Sequence, residues 1–353
     1  MKISKLLFIS FSLIGTLMAK DYSGAELYTN ETYNYGKFEA RMQMASASGL
    51  VSSMFLYYND SYMGDPEPWV EIDIEVLGKA PGSFQSNIIS GSAAKKKTSE
   101  KHHTLTTPAN ESYHTYGIEW TPTYIAWFVD GIEMRRTVKD SNDTKKQVEA
   151  MIKEQNLRFN LWASESEAWV GAFDEASLPK YQYINWVKVY DYTPGNGPDG
   201  SDFTLRWTDD FETFDDTRWN KANWTFDGNR VDLKSENIIL KEGTLILALT
   251  KSGEEGFNDS EIPADNGEIP NAIPFKTKQE KIKASFQNDE IQLYLNPHSG
   301  WTWKIYSTNG NVLKTGEGNS KTDIISVKDL KAGSYYLKVK QNGHIHSLDF
   351  KKI

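Results

Sequence analysis

Trp69-Val70-Glu71-Ile72-Asp73-Ile74-Glu75-Val76-Leu77-Gly78 is the stretch on which the reading of this chain turns. Polar and branched apolar residues alternate through it with a period of two, the signature of a strand with one buried face. Val70, Ile72, Ile74 and Val76 then point one way, and Glu71, Asp73 and Glu75 point the other. Three carboxylates in a row repel one another, so at least one holds its proton above the ordinary carboxylate range. That is the setting for one carboxylate to act as nucleophile while another acts as general acid. Asp73, between the two Glu, is placed to hydrogen-bond one of them and tune its charge. A calcium site or a solvated acidic strand face would carry the same pattern.

Outward from this strand the chain continues as β-structure. Residues 36–44, 113–120, 124–129 and 183–190 alternate in the same way, and Ala80-Pro81-Gly82, Thr121-Pro122 and Asp130-Gly131 supply turns between strands. Many short strands with frequent turns predict an all-β sandwich or barrel. Residues 143–155 are the best helical candidate, as a short helix or only a polar loop. Thr193-Pro194-Gly195-Asn196-Gly197-Pro198-Asp199-Gly200 interrupts the pattern, after which 202–207, 224–232 and 244–251 resume as strands. Residues 254–283, with Pro263, Pro270 and Pro274, read as a linker. Residues 284–353 form a separate small β-sandwich, its runs split by Asn309-Gly310, Ala332-Gly333 and Asn342-Gly343.

Bulk properties narrow the class. A chain of 353 residues suggests one large domain, here 20–253, and a smaller one. A net charge of −9 argues against nucleic acid and anionic membranes as partners, and leaves a neutral polymer possible. With no cysteine, disulfides and thiolate metal sites are excluded. Eleven Trp in a chain that is 13% aromatic point to a thick β-core or a surface that stacks on flat ligands. Lys2 and Lys5 precede an apolar run ending near Ala19, so 1–19 read as a signal peptide, with no membrane span left after its removal. His102-His103 is a poor metal pair, because adjacent strand residues face opposite ways. Lys95-Lys96-Lys97 reads as a solvated loop.

The acidic motif resembles that of glycoside hydrolase family 16, and more narrowly of the bacterial lichenases. The resemblance extends to Tyr35-Gly36-Lys37-Phe38-Glu39-Ala40-Arg41-Met42, Phe84-Gln85-Ser86-Asn87, His114-Thr115-Tyr116-Gly117-Ile118-Glu119-Trp120, Trp127-Phe128-Val129-Asp130-Gly131 and Asn160-Leu161-Trp162. A block such as 203–249, with Asp209-Asp210-Phe211 and Trp224-Thr225-Phe226, precedes the catalytic strand in most lichenases. Here it follows, so the chain resembles a circularly permuted lichenase with its junction near 193–201.

The resemblance implies a jelly-roll sandwich of two antiparallel sheets and an endo-1,3-1,4-β-glucanase acting on mixed-linkage β-glucan with retention. Glu71 would be the nucleophile, Asp73 the assisting carboxylate and Glu75 the general acid/base. Retention needs the two carboxyls about 5 Å apart, whereas strand positions i and i+4 lie about 13 Å apart at the backbone. The side chains must therefore lean together. Phe55, Tyr57, Trp69, Trp162, Trp169, Trp224 and Phe226 match cleft aromatics. Glu26, Asn59, Gln85, Asn87, Arg158, Asn160 and Arg230 match residues that bind sugar hydroxyls or hold the carboxylates. Asn185, Asp210 and Gly243 match a structural Ca2+ site, and catalysis itself would need no cofactor. The same fold could act on laminarin, xyloglucan or an algal galactan, or serve as a non-catalytic lectin.

The last residues resemble a type IX secretion sorting domain. The features are Leu295-Asn296-Pro297, Ile305-Tyr306-Ser307-Thr308-Asn309-Gly310, the segment 327–336 and the terminal Lys351-Lys352-Ile353. The resemblance implies export, with the secretion machinery as partner and a monomer as the working unit. Trp301 and Trp303, alternating onto one face, leave a carbohydrate-binding module as the competing reading.

Overall fold

A computed structural model describes residues 19–265, 283–287, 289–294, 301–307, 312–318, 322–341 and 344–352. Residues 1–18 of the expected signal peptide, 266–282 of the expected linker, Leu295-Asn296-Pro297, Thr308-Asn309-Gly310, Asn342-Gly343 and Ile353 lie outside this set. The chain divides into two compact units at Ile273 and Pro274.

The larger unit contains β1 (Tyr22–Thr29), β2 (Gly36–Gln43), β3 (Leu50–Tyr57), β4 (Glu71–Leu77), β5 (Ser83–Ser92), β6 (Lys95–Lys97), β7 (Lys101–Thr104), β8 (His114–Trp120) and β9 (Tyr124–Val129). It continues with β10 (Ile132–Val138), β11 (Asn156–Ala163), β12 (Lys180–Tyr192), β13 (Phe203–Asp209), β14 (Trp219–Lys221), β15 (Val231–Leu233), β16 (Ile238–Lys241) and β17 (Thr244–Lys251). Antiparallel pairing in the order β14-β1-β11-β3-β4-β5-β7 makes the first sheet. The second runs β10-β9-β8-β2-β12, and the far edge of β12 is shared between β13 and the β17–β16 hairpin. The start of β1 also pairs with β17 and, in parallel, with β15, which ties the sheets together.

The core lies between the sheets. Val70, Ile72, Ile74 and Val76 are fully buried there with Phe38, Ile118, Trp127, Phe159 and Leu247. Each branched side chain contributes roughly 1.5–3 kcal/mol by leaving water, so the period-two pattern fixes which face of β4 turns inward. A one-residue slip would drive all three carboxylates into this core. Trp127 pins the strand from the opposite sheet, its Nε1 donating to the Asp73 carbonyl at 2.9 Å.

Three expectations change. Residues 143–155 form turns, not a helix: the Asp143 carboxylate accepts from the amides of Gln147 (2.9 Å) and Val148 (2.7 Å), competing with helical bonding. Residues 224–230 form a loop, and only Val231–Leu233 is strand. Residues 254–265 are not a free linker start. The Ser23 hydroxyl donates to Glu255 (2.7 Å), Phe257 packs on Tyr181, and Asp265 accepts from Arg41. Composition alone hid these contacts, because every partner lies in a distant strand.

The smaller unit pairs β18 (Lys283–Gln287), β19 (Glu290–Tyr294) and β22 (Thr322–Ser326) in one sheet. The other has the order β21-β20-β23-β24, from Val312–Gly318, Trp301–Ser307, Gly333–Gln341 and His344–Lys352. Trp301 is 2% exposed in its core, with Trp303 packed beside it. A Cβ on Gly318 would come within 2.1 Å of Trp301, and one on Gly316 within 2.5 Å of Trp303. The glycines make room for both indoles, which are core and not a platform for sugars.

Candidate active site

Cross-strand register assembles the site. Glu75 of β4 lies opposite Ser53 of β3 and Gln85 of β5, and Ser53 lies opposite Asn160 of β11, itself opposite Glu26 of β1. The next row is Tyr28, Arg158, Phe55, Asp73 and Asn87, and a third joins Tyr57 to Glu71. Directly opposed residues share a face in an antiparallel sheet. Residues far apart in the chain therefore line one surface, the one opposite the core.

Each carboxylate meets a different environment. Glu71 and Glu75 are half-buried, and Asp73 between them is 2% exposed. Trp69 Nε1 donates to Glu71 Oε2 at 2.6 Å. Burial raises the Glu71 carboxyl above its ordinary range, and the Trp69 bond, the Lys96 ammonium, Asp73 and Arg158 pull it back. For Asp73, burial and then the charges of Glu71 and Glu75 push the carboxyl well upward. Both effects disfavour the charged form of this carboxyl. Glu75 rises to about 8, first through burial, then through the charges of Glu71 and Glu100. Glu75, lifted to about 8, is suited to act as the acid, while the Trp69 N–H and the Lys96 and Arg158 cations favour the charged form of Glu71.

Supporting groups are themselves held. Gln85 Nε2 donates to Glu75 Oε2 at 3.1 Å, while Gln85 Oε1 accepts from Trp169 Nε1 at 3.3 Å. Ser53 donates to Asn160 (2.6 Å), and Asn160 donates to Glu26 (3.2 Å). Arg158 bonds Glu26 at 2.5 Å and also donates to Asn59. Asn87 accepts from the amide of Ser99 at 2.9 Å. This buried polar layer fixes the floor before any ligand arrives.

Aromatic rings rise around the floor. Tyr57 meets Trp69 edge-on with centroids 5.7 Å apart, and Phe55 meets Tyr57 at 6.4 Å. Trp162 contacts Trp169 (5.9 Å) and Phe226 (5.0 Å), and Trp224 meets Tyr28 at 5.4 Å. Trp224 and Phe226 are each 38% exposed, which explains why 224–230 is a loop: its rings face solvent at the rim. Such faces can stack on the apolar C–H faces of sugar rings. Arg230 donates to the Ser164 carbonyl (3.1 Å) and pairs with Glu167 (3.6 Å), fastening this loop to the segment after β11.

Sequence reasoning overlooked Ser53, Glu100 and Lys96. Lys96 Nζ sits 3.2 Å from the Trp69 ring centroid. Two histidines are held in structural contacts: His114 bridges Asp130 (2.7 Å) and the Thr107 carbonyl (3.1 Å), and His103 bonds Ser86 (2.8 Å).

Asn185, Asp210 and Gly243 are close in strand register on β12 and at the ends of β13 and β17, outside the strands that carry the acidic row. β13 pairs with β12 up to Val187–Asp209, and β17 begins at Ile184–Leu245. The gap between them falls at Asn185, with Asp210 and Gly243 on its two sides. A Cβ on Gly243 would lie 3.4 Å from Glu212 Oε1, so a carboxylate stands beside it. Backbone and carboxylate oxygens are the donors a hard cation takes, and the residues fit Ca2+ in that sense. No cluster of three acidic, His or Cys side chains gathers among the described residues, so carbonyls would supply much of the coordination. The Asn185 amide is engaged elsewhere, donating to Asp265 at 2.8 Å.

The family model Glycosyl hydrolases family 16 matches residues 10–188, and Secretion system C-terminal sorting domain matches 287–352. A beta-glucanase of Fibrobacter succinogenes is 61% identical over 259 residues, covering 73% of this chain and 72% of that protein. A beta-glucanase of Brevibacillus brevis is 35% identical over 180 residues, covering 51% and 63% respectively. Among solved structures, the Bacillus licheniformis beta-glucanase is 33% identical with a TM-score of 0.38, covering 45% of this chain and 68% of that one.

Proposed function

Given that the chain belongs to the glycosyl hydrolases of family 16, we propose that it is an endo-1,3-1,4-β-D-glucanase that cleaves mixed-linkage β-glucan with retention. The observation that carries this is the pair of half-buried carboxylates on β4 in unlike surroundings, Glu71 against the Trp69 N–H and Glu75 against Gln85, set in an aromatic-rimmed surface. Glu71 attacks the anomeric carbon as Glu75 passes its proton to the departing glycosidic oxygen, leaving a glycosyl ester on Glu71. Glu75, now ionised, takes a proton from water. The water oxygen attacks the same carbon, and the C–O bond to Glu71 breaks. Asp73 steadies Glu71, while Gln85, Asn87, Asn160, Glu26 and Arg158 hold the floor on which the sugars sit. The uninterrupted E-x-D-x-E spacing favours mixed-linkage glucan over laminarin.

Reducing-sugar release from barley β-glucan, laminarin and carboxymethylcellulose tests the reading. Release from the first alone is expected. Equal release from laminarin would move the substrate, and silence on all three with retained binding would make the protein a lectin.

The permuted order draws support from two facts. The family match stops at residue 188, before the Gly/Pro break, yet the 259-residue alignment with the Fibrobacter relative must run past it. Strands after the break complete both sheets. The match at 287–352 supports export through the sorting domain, and the expected signal peptide at 1–19 would start the chain on that route; no helix among the described residues is long and apolar enough to cross a membrane. Ca2+ at Asn185, Asp210 and Gly243 would staple β13 to β17. Chelation should then lower the melting temperature by about 4 °C or more, the effect of losing over 1–2 kcal/mol in a domain of this size, and added Ca2+ should restore it. An unchanged melt would remove the metal from the account.

A further inference from the structure

The hairpin formed by β5 and β6 leans over Trp69. Gly91 pairs with Lys96, and the Gly91 carbonyl accepts from the Trp69 amide at 2.9 Å. Gly91 has φ +100°, and a Cβ there would come within 2.4 Å of the Lys95 carbonyl, so the tight approach needs glycine. Within β6, Lys95 and Lys97 point to one face and Lys96 to the other. That alternation seats one ammonium of the triplet on the indole, 3.2 Å from the ring centroid.

We propose that Lys96 is a positioning residue for the nucleophile: its ammonium, seated on the Trp69 face, holds the indole N–H and the Glu71 carboxylate together. The inference rests on the reading of Glu71 as nucleophile. Two physical routes lead from Lys96 to Glu71. A cation over an indole face draws electron density from the ring, which strengthens the 2.6 Å N–H bond to Glu71. The ammonium also attracts the Glu71 carboxylate directly; burial on the indole lowers the Lys96 ammonium's pKa, and the charge of Glu71 acts against that. The other charged or titratable groups facing Glu71 are Asp73 and Glu75 on its own strand, Tyr57 on β3 and Arg158 on β11. Of the two cations, Arg158 is already committed to Glu26 and Asn59. Lys96 is the one joined to Glu71 through the indole.

Lys96→Gln removes the cation, Lys96→Arg keeps it, and Lys95→Gln makes the same change of net charge on the opposite face. The Glu71 carboxyl is followed by 13C NMR in Glu-labelled protein, its signal identified by its loss in Glu71→Gln. In Lys96→Gln the titration midpoint should move to higher pH, because loss of a nearby cation favours the protonated acid. Lys96→Arg should restore it, Lys95→Gln should leave it alone, and 1 M salt should shrink the difference. On barley β-glucan at low salt, kcat/KM on the acid limb should fall about threefold in Lys96→Gln, with the neutral plateau nearly kept. A midpoint that is the same in Lys96→Gln and Lys95→Gln overturns the proposal. The NMR arm needs no turnover: an inactive wild type with a shifted midpoint would sink the glucanase reading and leave the role of Lys96 standing.

Discussion

Glu71→Gln is expected to lower kcat on barley β-glucan by roughly 10^4-fold or more while the protein stays folded. A neutral amide cannot form the glycosyl ester, and no second charged carboxylate can take its place. Burial and the neighbouring carboxylates push the Asp73 carboxyl well upward and the Glu75 carboxyl to about 8, which disfavours the anionic form of both. The fold should survive because the substitution is isosteric and removes a charge from a crowded acidic row. The melting temperature should be unchanged or slightly higher. Reducing-sugar assays and a thermal melt on the same preparation check both halves. Residual activity within tenfold of wild type would mean that Glu71 is not the nucleophile.

Glu75 should show a different pattern. Its carboxyl titrates near 8, lifted by burial and the negative charges of Glu71 and Glu100. A general acid works only while protonated, so kcat/KM should decline as pH rises through about 8. Glu75→Ala should cost about 10^2- to 10^4-fold on β-glucan and should abolish the alkaline limb. With an activated aryl leaving group, the first step no longer needs an acid. Azide can then occupy the space left by Glu75 and attack the ester on Glu71 without base assistance. Rescue by azide with a β-glycosyl azide as product is expected; an α-azide would require inversion and would contradict the double displacement.

The two variants separate because the two carboxyls differ in surroundings, not in chemical type. Trp69 gives Glu71 an N–H donor, and Lys96 and Arg158 give it nearby cations. Glu75 has the weaker 3.1 Å donor Gln85 and a like charge at Glu100. The aromatic rim adds stacking surface, while the Glu26–Arg158–Asn160–Ser53 layer absorbs the polar groups beneath it. A preformed floor of this kind loses little conformational freedom when a glucan chain settles on it.

Much of this was legible in residue order alone. Alternation along 70–77 assigns the inward and outward faces of β4, because side-chain direction in a strand depends only on parity. Residues 124–129 and 244–251 were bounded as the strands are found, and the acidic triplet, the break near 193–201 and the separate C-terminal sandwich could all be read from local pattern. Tertiary structure decided the rest. Lys96 looked like one member of a solvated lysine run until hairpin register placed it on Trp69. Trp224–Phe226 imitated a strand, although their rings belong to a rim loop, and 254–265 looked like linker until its docking partners on distant strands were seen. Trp301 and Trp303 could have been a sugar platform until Gly316 and Gly318 gave them a place in the core. The physical reason is one of range: parity and turn chemistry act between neighbours in the chain, whereas charge state, stacking and docking depend on groups that only long-range strand pairing brings within a few ångströms.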